Sequence, residues 1–142
     1  MKYTFLSKRF YEHYTQDKYP QIVTKGTRPY AHIKVTAKDM LFCLPLRSNI
    51  EHPHAYFTNK KEKCGVDYSK AVVITKEEYV DYETKVFLRP EEYRKLKGKD
   101  YIITKQFLKY IDLYKKAKKD KSIPHREDIL KFSTLQYFEA YI

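Results

Sequence analysis

Two β-type segments joined by a very short turn are the feature that most limits how this chain can fold. Residues 30–36 (YAHIKVT) alternate between polar and apolar positions, as a half-buried strand does. Residues 37–39 (AKD) have the composition of a turn, and residues 40–46 (MLFCLPL) are an apolar run typical of a more deeply buried strand. Because so short a connection joins neighbouring antiparallel strands, the sequence predicts an antiparallel hairpin here.

Further strands are predicted on both sides of this hairpin. They are short segments with β-branched or aromatic residues, at 2–6, 70–74 and 84–88. The strand at 40–46 is predicted to break at Pro45, and the polar segment 47–69 that follows is long for a loop in a compact domain. A connection of this length usually serves function or hides a short strand.

Helices are predicted from capping residues and from apolar residues at helical spacing. Ser7 is a candidate N-cap for a first helix, and a second helix begins at Pro90 and ends before Gly98. A third is predicted from an N-cap at Thr104, and residues 121–142 predict two more. Strands mixed with helices come first and helices alone follow, which predicts a mostly antiparallel α+β fold.

The size and composition fit one domain spanning residues 1–142. Apolar residues make up 42% of the chain and aromatic residues 16%, which is enough to bury a core. The N-terminal residues lack the apolar run of a signal peptide, and no window reaches ~18 consecutive apolar residues. The two cysteines show neither a disulfide framework nor a zinc spacing, so a cytoplasmic protein is expected, with no membrane partner.

The charge of the chain points to a polyanionic partner. Lys and Arg number 29 against 18 Asp and Glu, so the net charge is +11. Nucleic acid is the first candidate and an anionic membrane the second, while a merely solubilising charge is the simpler alternative. The third predicted helix places Lys105, Lys109 and Lys116 opposite its apolar stripe, where they are expected to contact an RNA backbone. The 15 tyrosines are suited to stacking unpaired bases.

Residues able to do chemistry cluster just after Pro45, in the stretch 42–57 (FCLPLRSNIEHPHAYF). RNA carries its own nucleophile, the 2′-hydroxyl. A protein can therefore cleave RNA by accepting that proton, stabilising the phosphoryl charge and protonating the leaving oxygen. Arg47 offers the phosphate a planar guanidinium that can donate two hydrogen bonds at once, and Ser48 and Asn49 offer short hydrogen-bonding side chains. His52 or His54 titrates near neutrality and can give or take a proton.

Other candidate residues stand at the ends of neighbouring predicted strands. Arg28 and Tyr30 lie at the start of the strand at 30–36, and Lys70 begins the strand at 70–74, where its ammonium would stabilise phosphoryl charge. No glycine-rich phosphate loop is present, and the two histidines of the stretch lack partners at metal-ligand spacing. Neither a cofactor nor a metal is predicted.

Each candidate also has a simpler structural interpretation. Ser48 can satisfy its own turn, and Arg47 can pair with Glu51. The histidines can be merely solvent-exposed, and Tyr30 can belong to the core. The clustering of these residues at strand ends in a basic chain favours a functional site over these alternatives.

The same segments resemble the ToxN-like endoribonuclease toxins of type III toxin–antitoxin systems, most closely the CptN and TenpN branch. RPYAHI (28–33), the stretch 42–57, CGVDYSKAVVI (64–74) and the opening KYTFLSKRFYEHY carry the resemblance. It covers roughly the first 75 residues, while the rest fits only in its helical, basic character. The resemblance implies a twisted, mostly antiparallel sheet of about six strands surrounded by helices, similar to the MazF and Kid toxins, with a helical C-terminal half.

The resemblance further implies an activity and its partners. The activity is metal-independent endoribonuclease cleavage of mRNA, which leaves a 2′,3′-cyclic phosphate and a 5′-hydroxyl. The partner is an antitoxin RNA pseudoknot, which the toxin cuts from its own precursor and then stays bound to. Such pairs assemble into closed protein–RNA hetero-oligomers, and some members of the family abort phage infection.

Residue roles carried over from the resemblance fall on the predicted strand ends. The family's active-site hydroxyl falls on Ser48. Other branches have Thr before this serine and Lys two positions after it, where this chain has Arg47 and Ile50. His52, with His54 as the second candidate, is therefore expected to take over the proton and phosphate work together with Arg47.

Two aromatic positions also follow from the resemblance. Tyr30 stands where other branches have a further lysine, which places it near the catalytic residues. Phe10 and Tyr11 match an aromatic residue that lines the site, so both are expected to contact RNA. The competing hypotheses are a non-catalytic basic RNA-binding module and, with weak support, a peripheral membrane or protein-interaction domain.

Overall fold

A computed structural model of the chain describes residues 1–24 and 29–142. Within them, seven strands form one sheet: β1 (Tyr3–Leu6), β2 (Ala31–Ala37), β3 (Met40–Arg47), β4 (Ala55–Asn59), β5 (Cys64–Asp67), β6 (Val72–Val73) and β7 (Val80–Asp81). The α-helices of the same residues are α1 (Lys8–His13), α2 (Pro90–Leu96), α3 (Asp100–Lys119) and α4 (Arg126–Phe132). Short 3₁₀ turns lie at Tyr68–Lys70, Glu77–Tyr79, Thr134–Tyr137 and Glu139–Tyr141.

The sheet is antiparallel at every pairing of its strands. Its order is β4-β5-β3-β2-β1-β7, and β6 pairs with β3 beside that path. The sheet stays open, and the chain after β7 is helical. These features confirm the predicted α+β fold with a mostly antiparallel sheet and a helical C-terminal half. The likeness to the MazF and Kid toxins stays a prediction.

β2 and β3 form the predicted hairpin. Ala37 pairs with Met40, so the connection has two residues, Lys38 and Asp39, with φ angles of 53° and 60°. Two consecutive positive φ values characterise a type I′ turn, whose twist matches that of the strands it joins. The hairpin places the start of β2 beside the end of β3.

β3 continues through Pro45, so the predicted break at this residue is wrong. Pro45 pairs with His32 of β2 on one side. On the other side the partner of β3 changes from β6 to β5 between Cys43 and Leu46. Proline lacks a backbone N–H, and a change of partner strand is a point where the missing donor is tolerated. The strand therefore carries Arg47 as its last paired residue.

Three other local predictions have mixed outcomes. The long segment 47–69 does hide strands, β4 and β5. The strand predicted at 84–88 is wrong, since these residues lack regular structure and lead from β7 to α2. The N-cap predicted at Thr104 is also wrong, because α3 begins at Asp100, whose carboxylate lies 3.1 Å from the Met1 ammonium.

Capping predictions are confirmed at the first two helices. The Ser7 hydroxyl accepts a hydrogen bond from the backbone N–H of Phe10 at 3.3 Å. Pro90 is the first residue of α2, and Gly98 lies just past its end with a φ of 74°. This positive φ is one that glycine adopts without strain.

Helices cover both faces of the sheet. Phe42 and Cys43 are consecutive in β3 and therefore point to opposite faces. Phe42 contacts Phe107 of α3, with ring centroids 5.0 Å apart, while the Cys43 thiol lies near Tyr11 of α1. Because α3 and α1 cover opposite faces, the functional residues have to be sought at the ends of the strands.

The predicted amphipathic pattern of α3 is confirmed. Its apolar stripe packs against the sheet and α4, with Phe107, Ile111 and Tyr114 buried. Lys105, Lys109 and Lys116 are exposed on the outer face.

Of the two glycines in the described residues, Gly65 is the one at which a side chain has no room. It lies in β5, paired with Phe57 of β4, and an added Cβ would collide with the carbonyl oxygen of Tyr56 and lie 2.9 Å from the Phe57 Cα. We therefore expect Gly65→Ala to lower the free energy of unfolding by about 3 kcal/mol, since β4 has to move away from β5. Urea denaturation followed by circular dichroism measures the change.

Gly98→Ala is the matched control for this prediction. Gly98 has a positive φ, but a Cβ at this position would meet no atom within 4 Å, so only backbone strain of about 1 kcal/mol opposes alanine there. Equal losses in the two variants would contradict the close approach of β4 to Gly65.

Candidate functional site

A buried carboxylate lies at the end of β5. The Asp67 side chain is 0% exposed and accepts hydrogen bonds from Arg47 Nη1 at 2.6 Å, from the Ser69 backbone N–H at 2.9 Å and from Ser69 Oγ at 2.6 Å. His52 Nε2 lies 3.1 Å from its Oδ1. We call Arg47, His52, Asp67 and Ser69 the Asp67 cluster. It ties the end of β3 and the loop after it to the end of β5.

The Asp67 cluster keeps its carboxylate ionised. Burial by itself would raise the pKa of Asp67. The hydrogen bonds of His52 and Ser69 and the charge of Arg47 together outweigh burial and hold the pKa of Asp67 below its ordinary value. The negative charge is therefore present at neutral pH and anchors the Arg47 guanidinium.

His52 uses both ring nitrogens within the protein. Nε2 faces the Asp67 carboxylate and lies 3.0 Å from Ser69 Oγ, while Nδ1 accepts the backbone N–H of His54 at 3.0 Å. A general base needs a free nitrogen lone pair that points at the substrate. Neither nitrogen of His52 therefore presents a free lone pair to the cleft, and this geometry does not favour the prediction that His52 takes the proton of the 2′-hydroxyl.

His54 stacks on the same cluster instead of offering a charge to RNA. Its ring lies 5.6 Å from that of His52 and 5.4 Å from that of Tyr110. Burial, and then the neighbouring His52, lower its pKa. At neutral pH a histidine with a lowered pKa is neutral, which removes the electrostatic reason to expect phosphate binding by His54.

Lys70 lies near the Asp67 cluster but is engaged with other parts of the chain. Its ammonium donates to Gln21 Oε1 at 2.9 Å and to the Phe132 carbonyl oxygen at 2.7 Å. Burial lowers the pKa of Lys70 to about 8, with the Arg47 charge acting in the same direction and Asp67 against it. Lys70 thus adds a second cation beside the single buried carboxylate.

A cleft of about 270 Å³ opens where β2 begins and β3 ends. The strands contribute Phe5, Ala31, Leu46, Arg47 and Cys64, and the residues next to them, Pro29, Tyr30 and Ser48, also line it. The segment that leads into α2 contributes Phe87, Leu88 and Arg89, and α2 itself contributes Glu92. Ser48 is exposed, whereas only about a fifth of the Arg47 side chain is exposed, at 21%.

The structure brings together three of the four predicted catalytic residues. Tyr30, Arg47 and Ser48 line the same cleft, because the antiparallel register of β2 and β3 sets their ends side by side. His52 does not line the cleft. It contacts Asp67, which in turn binds Arg47 of the cleft lining. Arg47 is therefore the residue shared by the cleft and the buried cluster.

The predicted RNA-binding residues are dispersed. Phe10 is fully buried among Tyr11, Tyr14 and Tyr79, so its ring cannot contact a ligand, and the prediction for it is wrong. Burial raises the pKa of Tyr11 to about 12, and its hydroxyl is buried without a hydrogen-bond partner among the described residues. Tyr11 therefore offers no hydroxyl to RNA.

The remaining predicted contacts lie on the surface or outside the described residues. Asn49 is exposed next to Ser48, with a φ of 56°. The lysines of α3 are exposed but do not line the cleft. Arg28 belongs to residues 25–28, outside the described part of the chain.

Sequence reasoning missed five residues of the site: Asp67, Ser69, Phe87, Arg89 and Glu92. In the sequence, Asp67 is an acid within GVDYS with a serine two residues after it. An aspartate at this spacing can accept the backbone N–H of that serine, as Asp67 Oδ1 does from Ser69. Phe87, Arg89 and Glu92 lie in a stretch interpreted as strand and helix start, and nothing in the local pattern links them to residue 48.

Comparisons with family models, with curated proteins and with solved structures find no match to this chain. Over residues 1–24 and 29–142, no helix is both long enough and apolar enough to cross a bilayer. In that same part of the chain, no group of three or more His, Cys, Asp or Glu side chains is arranged to hold a metal ion.

Replacing Asp67 tests the cluster. Asp67→Asn keeps the size of the side chain but leaves the Arg47 guanidinium without its counter-charge, so we expect the free energy of unfolding at neutral pH to fall by about 3 kcal/mol. The folded-state pKa of Asp67 lies below its unfolded value, so the wild-type stabilisation is complete above the unfolded pKa and is lost as pH falls through the folded pKa. Urea denaturation between neutral and acidic pH should show the two proteins converging.

The surface pair of Arg9 and Glu78 provides the control, since its atoms are 3.4 Å apart and both side chains are largely exposed. Glu78→Gln should unfold like the parent at every pH. An Asp67→Asn variant as stable as wild type at neutral pH would show that Arg47 does not depend on this carboxylate.

Proposed function

We propose that this chain is a metal-independent endoribonuclease that cleaves RNA through attack of the RNA's own 2′-hydroxyl. The observation that carries the proposal is the cleft, where Arg47, Ser48 and Tyr30 converge beside Arg89. Two guanidinium groups next to a hydroxyl suit a phosphodiester, because guanidinium binds phosphate oxygens in a bidentate manner. The net charge of +11 and the sequence resemblance support RNA as the polyanion.

The proposed reaction is a transesterification. The 2′-oxygen forms a bond to phosphorus while the bond from phosphorus to the 5′-oxygen breaks, which yields a 2′,3′-cyclic phosphate and a 5′-hydroxyl. The 2′-hydroxyl proton passes to a base in the cleft, the leaving 5′-oxygen takes a proton from a solvent water, and the base then returns its proton to solvent. Arg47 and Arg89 offset the charge that develops on the phosphoryl oxygens, and the Ser48 hydroxyl donates to one of them.

The base in this proposal is Glu92. Among the described residues that line the cleft it is the only carboxylate, and α2 holds it half-buried. An ionised carboxylate accepts a proton directly. This assignment replaces His52, whose ring nitrogens are both occupied.

The biological role we propose is that of a cytoplasmic toxin in a type III toxin–antitoxin pair. Its substrate would be mRNA, and a pseudoknot antitoxin RNA would inhibit it in a closed hetero-oligomer. Lys105, Lys109 and Lys116 give α3 an exposed cationic face for the antitoxin backbone. A non-catalytic RNA-binding module is the alternative, and it shares this surface but needs no cleavage.

Cleavage of a single-stranded RNA by the purified protein is the central test. The parent should release products with 2′,3′-cyclic phosphate ends in the presence of EDTA, because no step uses a metal. Ser48→Ala should slow cleavage about 10²-fold by removing one donor to the phosphoryl oxygen. Product ends are identified by mass spectrometry and rates by gel analysis.

Ser122→Ala serves as the control, since Ser122 is an exposed serine between α3 and α4 and does not line the cleft. It should cleave like the parent. Tight RNA binding without any shortening of the RNA would establish the alternative module, and activity abolished by EDTA would overturn the metal-free reaction.

The role of Glu92 has its own test. Glu92→Gln should reduce the cleavage rate about 10²-fold and flatten the acidic side of the pH–rate profile, because an amide cannot accept the proton. Glu91→Gln is the matched control: Glu91 precedes it on α2, pairs with Arg94 at 2.9 Å and does not line the cleft. If both variants keep the parental rate and pH profile, the base lies elsewhere.

A further inference from the structure

Phe87 is an apolar ring left in solvent at the edge of the cleft. It is 87% exposed, more than any other large hydrophobic side chain in the described residues. It lies in the irregular segment between β7 and α2, and it lines the cleft together with Arg89, two residues further along. The chain thus holds an uncovered aromatic ring and a cation on one side of the proposed reaction site.

The next two most exposed aromatic residues, Tyr101 and Tyr82, differ from Phe87 in their surroundings. Tyr101 lies under the Lys105 ammonium at 6.0 Å, and Tyr82 lies under that of Lys34 at 5.2 Å. In the described part of the chain, no aromatic ring or cation covers Phe87. Phe87 also lacks the hydroxyl that lets a tyrosine remain favourably hydrated.

We propose that Phe87 stacks on a nucleobase of single-stranded RNA next to the scissile phosphate, while Arg89, two residues further along, binds that phosphate. This inference rests on the proposed function and names the substrate form the cleft accepts. Proteins bind unpaired nucleic acid by combining an aromatic side chain, which stacks on a base, with nearby cationic side chains, which bind the phosphates. In a duplex the bases are stacked on each other, so a protein ring reaches only an unstacked base.

The size of the cleft agrees with this substrate. About 270 Å³ lies slightly below the range of sites for drug-sized molecules, roughly 300–1,000 Å³. Such a volume takes one nucleotide-sized group and not a double helix. Stacking tolerates all four bases, so Phe87 would supply affinity without selecting a sequence.

Binding of a short oligonucleotide with 2′-O-methyl riboses separates this inference from the cleavage reaction, since the methyl group removes the nucleophile. Fluorescence anisotropy at one fixed salt concentration should show binding roughly 5- to 150-fold weaker for Phe87→Ala, as expected for loss of one stacked base. Phe87→Trp should retain parental affinity. The loss should be similar for oligonucleotides of each base composition.

Two further variants complete the experiment. Tyr141→Ala removes an exposed aromatic ring at the C-terminal turn, away from the cleft lining, and should bind like the parent. Arg89→Gln should make the slope of log affinity against log salt shallower by about 0.7, whereas Phe87→Ala should leave the slope unchanged.

The outcomes distinguish the two proposals. Parental affinity in Phe87→Ala, or no binding of the oligonucleotide by the wild type, overturns the stacking role. RNA cleavage by the wild type together with parental affinity in Phe87→Ala rejects the stacking role and leaves the nuclease proposal intact. Weakened binding in Phe87→Ala with no cleavage by the wild type supports the stacking site and removes the nuclease proposal.

Discussion

The ionised carboxylate of Asp67, sealed from solvent, is the constraint on which the candidate site depends. An isolated buried charge is strongly unfavourable, so the folded state has to surround it with donors. The donors come from separate parts of the chain: Arg47 from the end of β3, His52 from the following loop and Ser69 from the turn after β5. Satisfying one carboxylate thus fixes three segments relative to each other.

This constraint explains why neighbouring polar residues have different roles. Arg47 lies between the buried cluster and the cleft, so Asp67 restrains the guanidinium that a phosphate would meet. Restraining a cation before the ligand arrives reduces the conformational entropy lost on binding. His52 contributes to that restraint without lining the cleft. Ser48 is exposed, lies outside the Asp67 cluster and lines the cleft, so its hydroxyl can contact a ligand.

Much of the fold was predictable because its signals are local. Alternation and a short turn identified the hairpin of β2 and β3, and the Ser7 cap, Pro90, Gly98 and the stripe of α3 each depend on residues close in sequence. The errors at Pro45 and at 84–88 have a different origin, since strand pairing is decided by which segments meet across the sheet. A proline is tolerated in a strand where its missing N–H is not needed, which at Pro45 is the change of partner strand, and the local sequence does not show that change.

The candidate site was predictable to the same limited extent. Strand-end clustering placed Tyr30, Arg47 and Ser48 together, and the hairpin register accounts for this success. The sequence could not distinguish a catalytic histidine from one that supports an arginine, because that choice depends on Asp67, fifteen residues beyond His52. Likewise, the side of the cleft formed by residues 87–92 belongs to a segment far from β3 in the chain.

The charge balance around Asp67 gives a physical reason for an anion to bind here. One buried carboxylate is flanked by Arg47 and by Lys70, whose pKa is lowered to about 8 by burial first and by Arg47 as a like charge. A lowered lysine pKa means that the charged ammonium is less stable in this environment than in water. Lys70 donates to Gln21 and to Phe132 and does not line the cleft, so the cation of the Asp67 cluster that a bound anion would meet is Arg47. Arg89 adds a second guanidinium to the cleft lining, where Glu92 is the only carboxylate among the described residues, so the lining carries an excess of positive charge beside Phe87.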